Sequence, residues 1–159
     1  MSIPVKINNK HLYTIMDPDT FDPLWTEEQI IEKSIEKGMF PSEVLLTSET
    51  YSRDAERTAD YELEQLQIVN RKAKPEFTWN LIKYDYIKNL FSELEYHYNF
   101  KNNEGIIIPE DAPVISILYY DFVGQRLINA YLGQTIEGTL VEYNGIMYWE
   151  NLRIAFPER

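Results

Sequence analysis

The last third of the chain, residues 113–159, carries the repeated apolar runs of a β-sheet. The runs predict strands at residues 114–120, 126–132, 136–143 and 146–156. Asn144-Gly145 separates the last two runs, and these residue types tolerate the positive φ angles that a type I′ turn requires. The pattern therefore predicts a terminal sheet closed by a hairpin, on which the rest of the chain packs.

Two segments show helical patterns. Residues 84–98 place apolar side chains along one stripe at helical spacing, namely Ile87, Leu90, Phe91, Leu94 and Tyr98. A shorter helix is predicted from Thr26 to about Lys37, because Thr26 and Gln29 have the spacing of a capping box and Gly38 provides a stop.

The remaining patterns predict short strands and a long exposed loop. Residues 5–15 predict a small hairpin turning at Asn8-Asn9, and residues 63–69 and 75–82 predict strands. Residues 47–64 mix charges densely without a period, which predicts an exposed arm able to contact a partner. We therefore expect one α+β domain over residues 1–159. It would be a mostly antiparallel β-sandwich or partly open barrel with one long flanking helix and a short inserted N-terminal helix.

Composition supports a folded, cysteine-free protein. Hydrophobic residues make up 44% of the 159 residues and aromatic residues 14%, which is typical of a globular domain. With no cysteine, the chain can form neither a disulfide framework nor a thiolate metal site. No apolar run approaches the roughly 20 residues of a membrane span, and the N-terminus lacks the apolar core of a signal peptide. We expect a cytoplasmic origin and no membrane insertion.

The net charge of −11 is concentrated in one segment. Residues 17–64 hold 14 acids and 4 bases, a balance of −10, whereas the rest of the chain is nearly neutral. This distribution argues against sequence-specific nucleic-acid binding, which depends on Lys and Arg contacts to phosphates. We interpret residues 17–64 as an acidic insertion and extended arm within the domain. A solvated acidic region that aids solubility is an equally good interpretation.

The sequence predicts no catalytic, cofactor or metal site. Its two histidines, His11 and His97, have no metal-ligand spacing. Asp17, Asp19 and Glu28 match three positions of a calcium-binding loop, but an aspartate stands where that loop needs glycine. The paired carboxylates Glu62/Glu64 and Glu93/Glu95 are interpreted as surface charge. An enzyme is therefore not expected, and the 12 tyrosines and 3 tryptophans indicate core packing, a protein interface or a sugar-binding surface.

Two terminal segments resemble a family of small bacteriophage tail proteins. Residues 6–12, Lys-Ile-Asn-Asn-Lys-His-Leu, are similar to the opening hairpin of that family. Residues 143–154 and the closing Pro-Glu-Arg are similar to its last hairpin. The middle of the chain, from Tyr51-Ser52-Arg53-Asp54 through the Trp79 strand and the Leu90-Phe91 helix, resembles the family in layout. Residues 16–45 depart from it as an insertion.

The resemblance implies a tail-tube-like or distal-tail-like fold and a structural role in the virion tail, assembled in the host bacterial cytoplasm. A tail-tube, distal-tail or baseplate subunit would self-associate into a ring, expected to be a hexamer. It would also contact neighbouring tail proteins, with genome DNA only as passing cargo. If the acidic segment lined the channel, its charge would repel DNA phosphates. The family carries no catalytic residues.

The candidate interface comprises the arm and the terminal hairpin. Its predicted residues are Tyr51, Arg53, Asp54, Arg57, Tyr61, Tyr148 and Trp149. The last two lie on opposite faces of one strand, so one ring is expected to reach the core and the other a neighbour. Two other classes stay open at this point. One is a carbohydrate-binding or receptor-binding module using exposed tyrosines, and the other is an acidic inhibitor that mimics DNA.

Overall fold

The strands of the last third divide between two sheets instead of forming one. The computed structural model describes residues 3–49, 72–98, 115–133 and 135–158. The strands are β1 Lys6–Ile7, β2 Lys10–His11, β3 Glu43–Leu45, β4 Ser48–Glu49, β5 Lys72–Ala73, β6 Glu76–Lys83, β7 Ile115–Asp121, β8 Gly124–Ala130, β9 Ile136–Tyr143 and β10 Ile146–Ala155. The helices are α1 Leu12–Met16, α2 Glu27–Glu36 and α3 Tyr84–Tyr98.

Every strand pair in the described residues is antiparallel. One four-stranded sheet has the order β2-β1-β7-β8 and the other β3-β6-β10-β9, while β4 and β5 form a two-stranded pair. The predicted mostly antiparallel α+β architecture is confirmed at this level. The expectation of a single terminal sheet is wrong. After β8 the chain passes to the second sheet. Along this connection the Tyr131 N–H donates to the Pro157 carbonyl and the Gly133 N–H donates to the Ala155 carbonyl.

The two sheets share one apolar core. Phe77 of β6 is fully buried and contacts Tyr119 of β7 and Phe156, with ring centroids 6.4 Å and 5.4 Å away. Trp79, also in β6, is buried beside Phe77, and its Nε1 donates to the Met39 carbonyl at 2.9 Å. The β6 strand therefore links both sheets to the segment that follows α2.

Both predicted helices are confirmed. In α2 the Thr26 hydroxyl accepts from the Gln29 backbone N–H, and the Gln29 side chain accepts from the Thr26 N–H, which completes the capping box. The chain leaves this helix through Gly38 at φ +67°. The α3 helix packs against α1, β6, β7 and β10.

The N-terminal hairpin is shorter than predicted. Asn8 and Asn9 do form its turn, with φ angles of 53° and 60°. The strand predicted over residues 12–15 is wrong, because these residues form the helix α1 together with Met16. Four of these five residues are buried, in the i, i+1, i+3, i+4 spacing of a helix, and the Asn89 side chain caps its end by donating to the Met16 carbonyl at 2.7 Å.

A polar network joins α1 to α2. The Thr20 hydroxyl donates to Asp17 at 2.8 Å and hydrogen-bonds the Tyr13 hydroxyl at 2.6 Å. The Lys37 ammonium donates to the same carboxylate at 3.2 Å. Burial acts to raise the pKa of Asp17, but the hydrogen bonds from Thr20 and Lys37 together outweigh it and hold this pKa below its ordinary value of 3.8.

This network predicts an acid-sensitive contribution to stability. Because the folded pKa of Asp17 is lowered, its contribution is present above pH 3.8 and is lost as the pH falls through the folded pKa. Denaturant unfolding from pH 6 to pH 2 should show Asp17→Asn less stable than the wild type above pH 3.8, with the two converging below it. Asp19→Asn, at an exposed position, is the charge-matched control. Parallel pH profiles for Asp17→Asn and the wild type would contradict the prediction.

Candidate interaction surface

The terminal hairpin, formed by β9, β10 and their turn, extends past the core. Asn144 and Gly145 have φ angles of 53° and 81°, so the turn predicted from this dipeptide is confirmed. Every residue of β9 is exposed or half-buried. Since successive strand residues point to opposite faces, neither face of β9 is covered by the described residues.

A β-bulge marks where β10 leaves the core. Asn151 has a φ angle of 54°, and the pairing of β10 with β9 shifts between Glu150 and Arg153. On the C-terminal side of the bulge, Leu152 and Ile154 are buried. On the N-terminal side, residues 146–150 are all exposed or half-buried. The bulge therefore separates the core half of β10 from the projecting half.

One face of the projecting half is built around two tyrosines. The Tyr143 and Tyr148 rings lie 5.9 Å apart, and the Tyr143 hydroxyl donates to Glu150 at 3.2 Å. That hydrogen bond raises the pKa of Tyr143, because the carboxylate favours the protonated phenol. Ile146 lies on the same face and is exposed. This face offers apolar rings with one fixed hydroxyl among them.

The opposite face carries Trp149, Leu140 and Met147. The Trp149 ring is half-buried at the margin of the core and stacks on Tyr84, with centroids 6.2 Å apart. It also lies against Gly138, where an added Cβ would come within 3.1 Å of the Trp149 ring. Leu140 and Met147 are half-exposed on either side of the tryptophan. The absence of a Cβ at Gly138 thus leaves room for the Trp149 ring and for Leu152, whose Cδ1 would lie 2.9 Å from such an atom.

The outer edge of β9 is free along its length in the described residues, because β9 is the last strand of its sheet. The two residues that flank a two-residue turn exchange both backbone hydrogen bonds. The N–H and C=O groups of Tyr143 therefore point toward Ile146 of β10 and away from the free edge. By alternation, the N–H and C=O groups of Gly138, Leu140 and Glu142 point outward. The eight-residue edge contains neither proline nor lysine, and its only charged residues are Glu137 and Glu142 near its two ends.

A second apolar surface lies on the other sheet, at the β7–β8 turn. We call Phe122, Val123 and Leu127 the turn surface. Val123 is 92% exposed and Leu127 is 65% exposed. The Val123 N–H donates to the Asp121 side chain at 2.9 Å, which fixes the turn with its apolar residues outward.

The structure describes two of the seven predicted interface residues. Tyr148 and Trp149 lie on opposite faces of the hairpin, both half-buried. The others, Tyr51, Arg53, Asp54, Arg57 and Tyr61, lie outside the described residues, as do residues 63–69. On either side of that gap, β4 and β5 pair antiparallel through Ser48 and Ala73.

Sequence reasoning missed the apolar residues that are most exposed. The sequence predicted Leu140 only as part of a strand and assigned its side chain to neither face, and the structure leaves it 50% exposed. Two features of the sequence indicate that apolar side chains are exposed in these regions. Leu140-Val141 is an apolar doublet that breaks the alternation of β9, and Phe122-Val123 occupies turn positions that are usually polar.

A charged cluster lies beside the β8 edge. Arg126 bonds Glu158 at 3.1 Å and lies 3.7 Å from Asp121, and Glu158 also accepts from the Ala73 N–H at 2.8 Å. Burial raises the pKa of the neighbouring Tyr119, an effect that Arg126 opposes. Because each group has a partner, the cluster joins the C-terminal residues to β5 and β8.

Within the described ranges, no helix combines the length and apolar character needed to cross a bilayer. The same residues contain no group of three His, Asp or Glu side chains placed to hold a metal ion. Comparison with family models, curated proteins and solved structures finds no match for this chain.

Proposed function

We propose that this chain is a structural subunit of a bacteriophage or phage-derived tail, a ring-forming tail-tube, distal-tail or baseplate component that acts through protein–protein contacts. The terminal hairpin is the observation that carries the proposal of assembly. The assignment to a tail, and the tail-tube-like form of the fold, rest on the sequence resemblance of residues 6–12 and 143–154.

The hairpin is suited to contacts between subunits because it exposes apolar side chains on both faces. Contiguous exposed apolar surface marks interaction sites, since burying it gains about 25 cal/mol per Å². Tyrosine and tryptophan are also enriched at protein interfaces, where they combine apolar area with one polar group. The hairpin presents both residue types close to Leu140 and Met147.

A ring needs two different surfaces on each subunit, because a closed ring forms by head-to-tail contact. The terminal hairpin and the turn surface belong to different sheets and both expose apolar residues. They supply the two different surfaces that a head-to-tail contact uses. The two-sheet antiparallel fold with α3 at its side is compatible with the fold expected from the resemblance.

Size-exclusion chromatography with light scattering, followed by electron microscopy, tests the proposal. We expect oligomers that appear as rings. Met147→Lys should dissociate them, because it puts a charge on the half-exposed face of the hairpin. Leu24→Lys is the control. Leu24 is 88% exposed, but it lies in residues 16–45, which belong to neither the terminal hairpin nor the turn surface. A monomer at all concentrations, or specific binding on a glycan array without self-assembly, would contradict the proposal.

A further inference from the structure

We propose that two copies of this chain join through their β9 edges, antiparallel to each other, with Leu140 of both copies on the twofold axis. The contact would extend the β3-β6-β10-β9 sheet into one eight-stranded sheet across two molecules. It goes beyond the proposed tail function, because a twofold contact closes at two copies whatever larger assembly contains them.

The backbone of β9 supplies the hydrogen bonds. Gly138, Leu140 and Glu142 are the outward-pointing residues, and they are spaced evenly about Leu140. In an antiparallel pair centred on this residue, Leu140 faces Leu140 and each Gly138 faces Glu142 of the second copy. These three residue pairs would form about six hydrogen bonds between the chains.

Side-chain pairing favours this register. Centred on Leu140, the pairing places leucine against leucine and Val141 against Thr139. No acidic residue faces another acid, because Glu142 is opposite a glycine and Glu137 is opposite the ring of Tyr143. Like charges directly opposite each other would destabilise the pair.

The neighbouring register is less favourable. If Thr139 lay on the axis, Val141 would face Glu137 and Ile136 would face Glu142. Each apolar side chain would then lie beside a carboxylate that needs water. Both registers overlap over seven of the eight residues of β9, so the length of the overlap does not distinguish them and the side-chain pairing does.

The other strand edges in the described residues suit β9 less well. The C-terminal end of β8 is covered, because Tyr131 donates to the Pro157 carbonyl and Ala130 bridges to Glu158. The β3 edge has only three residues. One of them is Glu43, whose charge would repel the glutamates of an approaching β9 strand. The strand that matches β9 in length and charge placement is therefore β9 of a second copy.

Disulfide trapping tests the proposal directly, because the chain contains no cysteine. In the Leu140-centred pair the two Leu140 Cα atoms would be about 5.5 Å apart, within the range that a disulfide bridges. Leu140→Cys should therefore give a covalent dimer under mild oxidation, seen on a non-reducing gel. Thr139→Cys should stay monomeric, since its Cα atoms would be more than about 7 Å apart.

Leu81→Cys is the matched control, because Leu81 lies on an inner strand of the same sheet and is 46% exposed, close to the 50% of Leu140. Equal cross-linking of this control would show random collision and overturn the proposal. Cross-linking of Thr139→Cys in place of Leu140→Cys would overturn the register. The absence of any cross-link at Leu140, with the wild type monomeric in light scattering, would overturn the contact.

Leu140→Pro gives an independent test without a cysteine. Because the Leu140 N–H points outward, proline in both copies removes the two hydrogen bonds of the central pair and leaves the pairing with β10 in place. We expect at least about tenfold weaker dimerisation by light scattering, with an unchanged far-ultraviolet circular dichroism spectrum. Unaltered dimerisation of this folded variant would overturn the proposal.

These outcomes separate the two proposals. A Leu140→Cys dimer without rings supports the β9 contact and counts against the tail function. Rings that form without a Leu140→Cys cross-link support the tail function and overturn the β9 contact.

Discussion

Trp79→Ala should lower the free energy of unfolding by about 3–5 kcal/mol, the range typical of truncating a buried aromatic side chain. The Trp79 side chain is 1% exposed and lies at the centre of the shared core. Alanine would leave a cavity and remove the hydrogen bond to the Met39 carbonyl, which is itself buried. Denaturant unfolding followed by circular dichroism measures the change.

Two further variants separate the effect of the lost hydrogen bond on the free energy of unfolding from the effect of the lost buried volume. Trp79→Phe keeps most of the apolar volume but leaves the Met39 carbonyl without its donor, at a cost of about 1–3 kcal/mol. Leu81→Ala, two residues along the same strand, truncates a side chain that is 46% exposed and should change stability by about 0.5 kcal/mol. Equal losses for Trp79→Ala and Leu81→Ala would contradict this account of the core.

Gly133→Ala is expected to lower the free energy of unfolding by about 1–3 kcal/mol. A Cβ atom at this position would come within 2.7 Å of the Ala155 carbonyl oxygen and 3.2 Å of the Ala155 Cβ. The same carbonyl accepts the Gly133 N–H at 2.8 Å, so the backbone cannot move apart without losing that bond. Thermal and denaturant unfolding measure the effect.

Thr135→Ala is the control for this prediction, because it changes an exposed residue in the same connection between the sheets. It should alter the unfolding free energy by about 0.5 kcal/mol or less. If Gly133→Ala were equally mild, the close approach of the two backbones would not be a constraint on the fold.

The elements that the sequence predicted well have local signals. The apolar stripe over residues 84–98 and the capping box at Thr26 each depend on residues within a few positions of one another. The Asn144-Gly145 turn is equally local, since positive φ at two adjacent residues is a property of those residue types. These features therefore need no knowledge of the tertiary structure.

The division into two sheets has no such local signal. The β10 strand pairs with β6, which lies far earlier in the chain, and alternation alone does not choose a partner strand. The helical turn at residues 12–16 was missed because its cap comes from Asn89 in α3. Tertiary contacts decided both outcomes.

The candidate surface was predictable only in part. Tyr148 and Trp149 were expected on opposite faces of their strand, as the structure places them. The exposure of Leu140 depends on where β10 leaves the core, and the bulge at Asn151 sets that point. The apolar pattern of the strand does not predict this bulge, because the bulge depends on the positive φ angle of the single residue Asn151.

The order of the strands has a consequence for synthesis. The last strand of the chain, β10, lies inside its sheet between β6 and β9. Pairs such as Phe77 with Ile154 and Trp79 with Leu152 join distant parts of the chain, and such non-local contacts slow folding. While the chain emerges from the ribosome, β6 lacks its main partner until residues 146–155 have been made. During that interval the side chains of Phe77 and Trp79 lack the strand that pairs with β6 in the folded protein, and transiently exposed apolar surface of this kind favours aggregation.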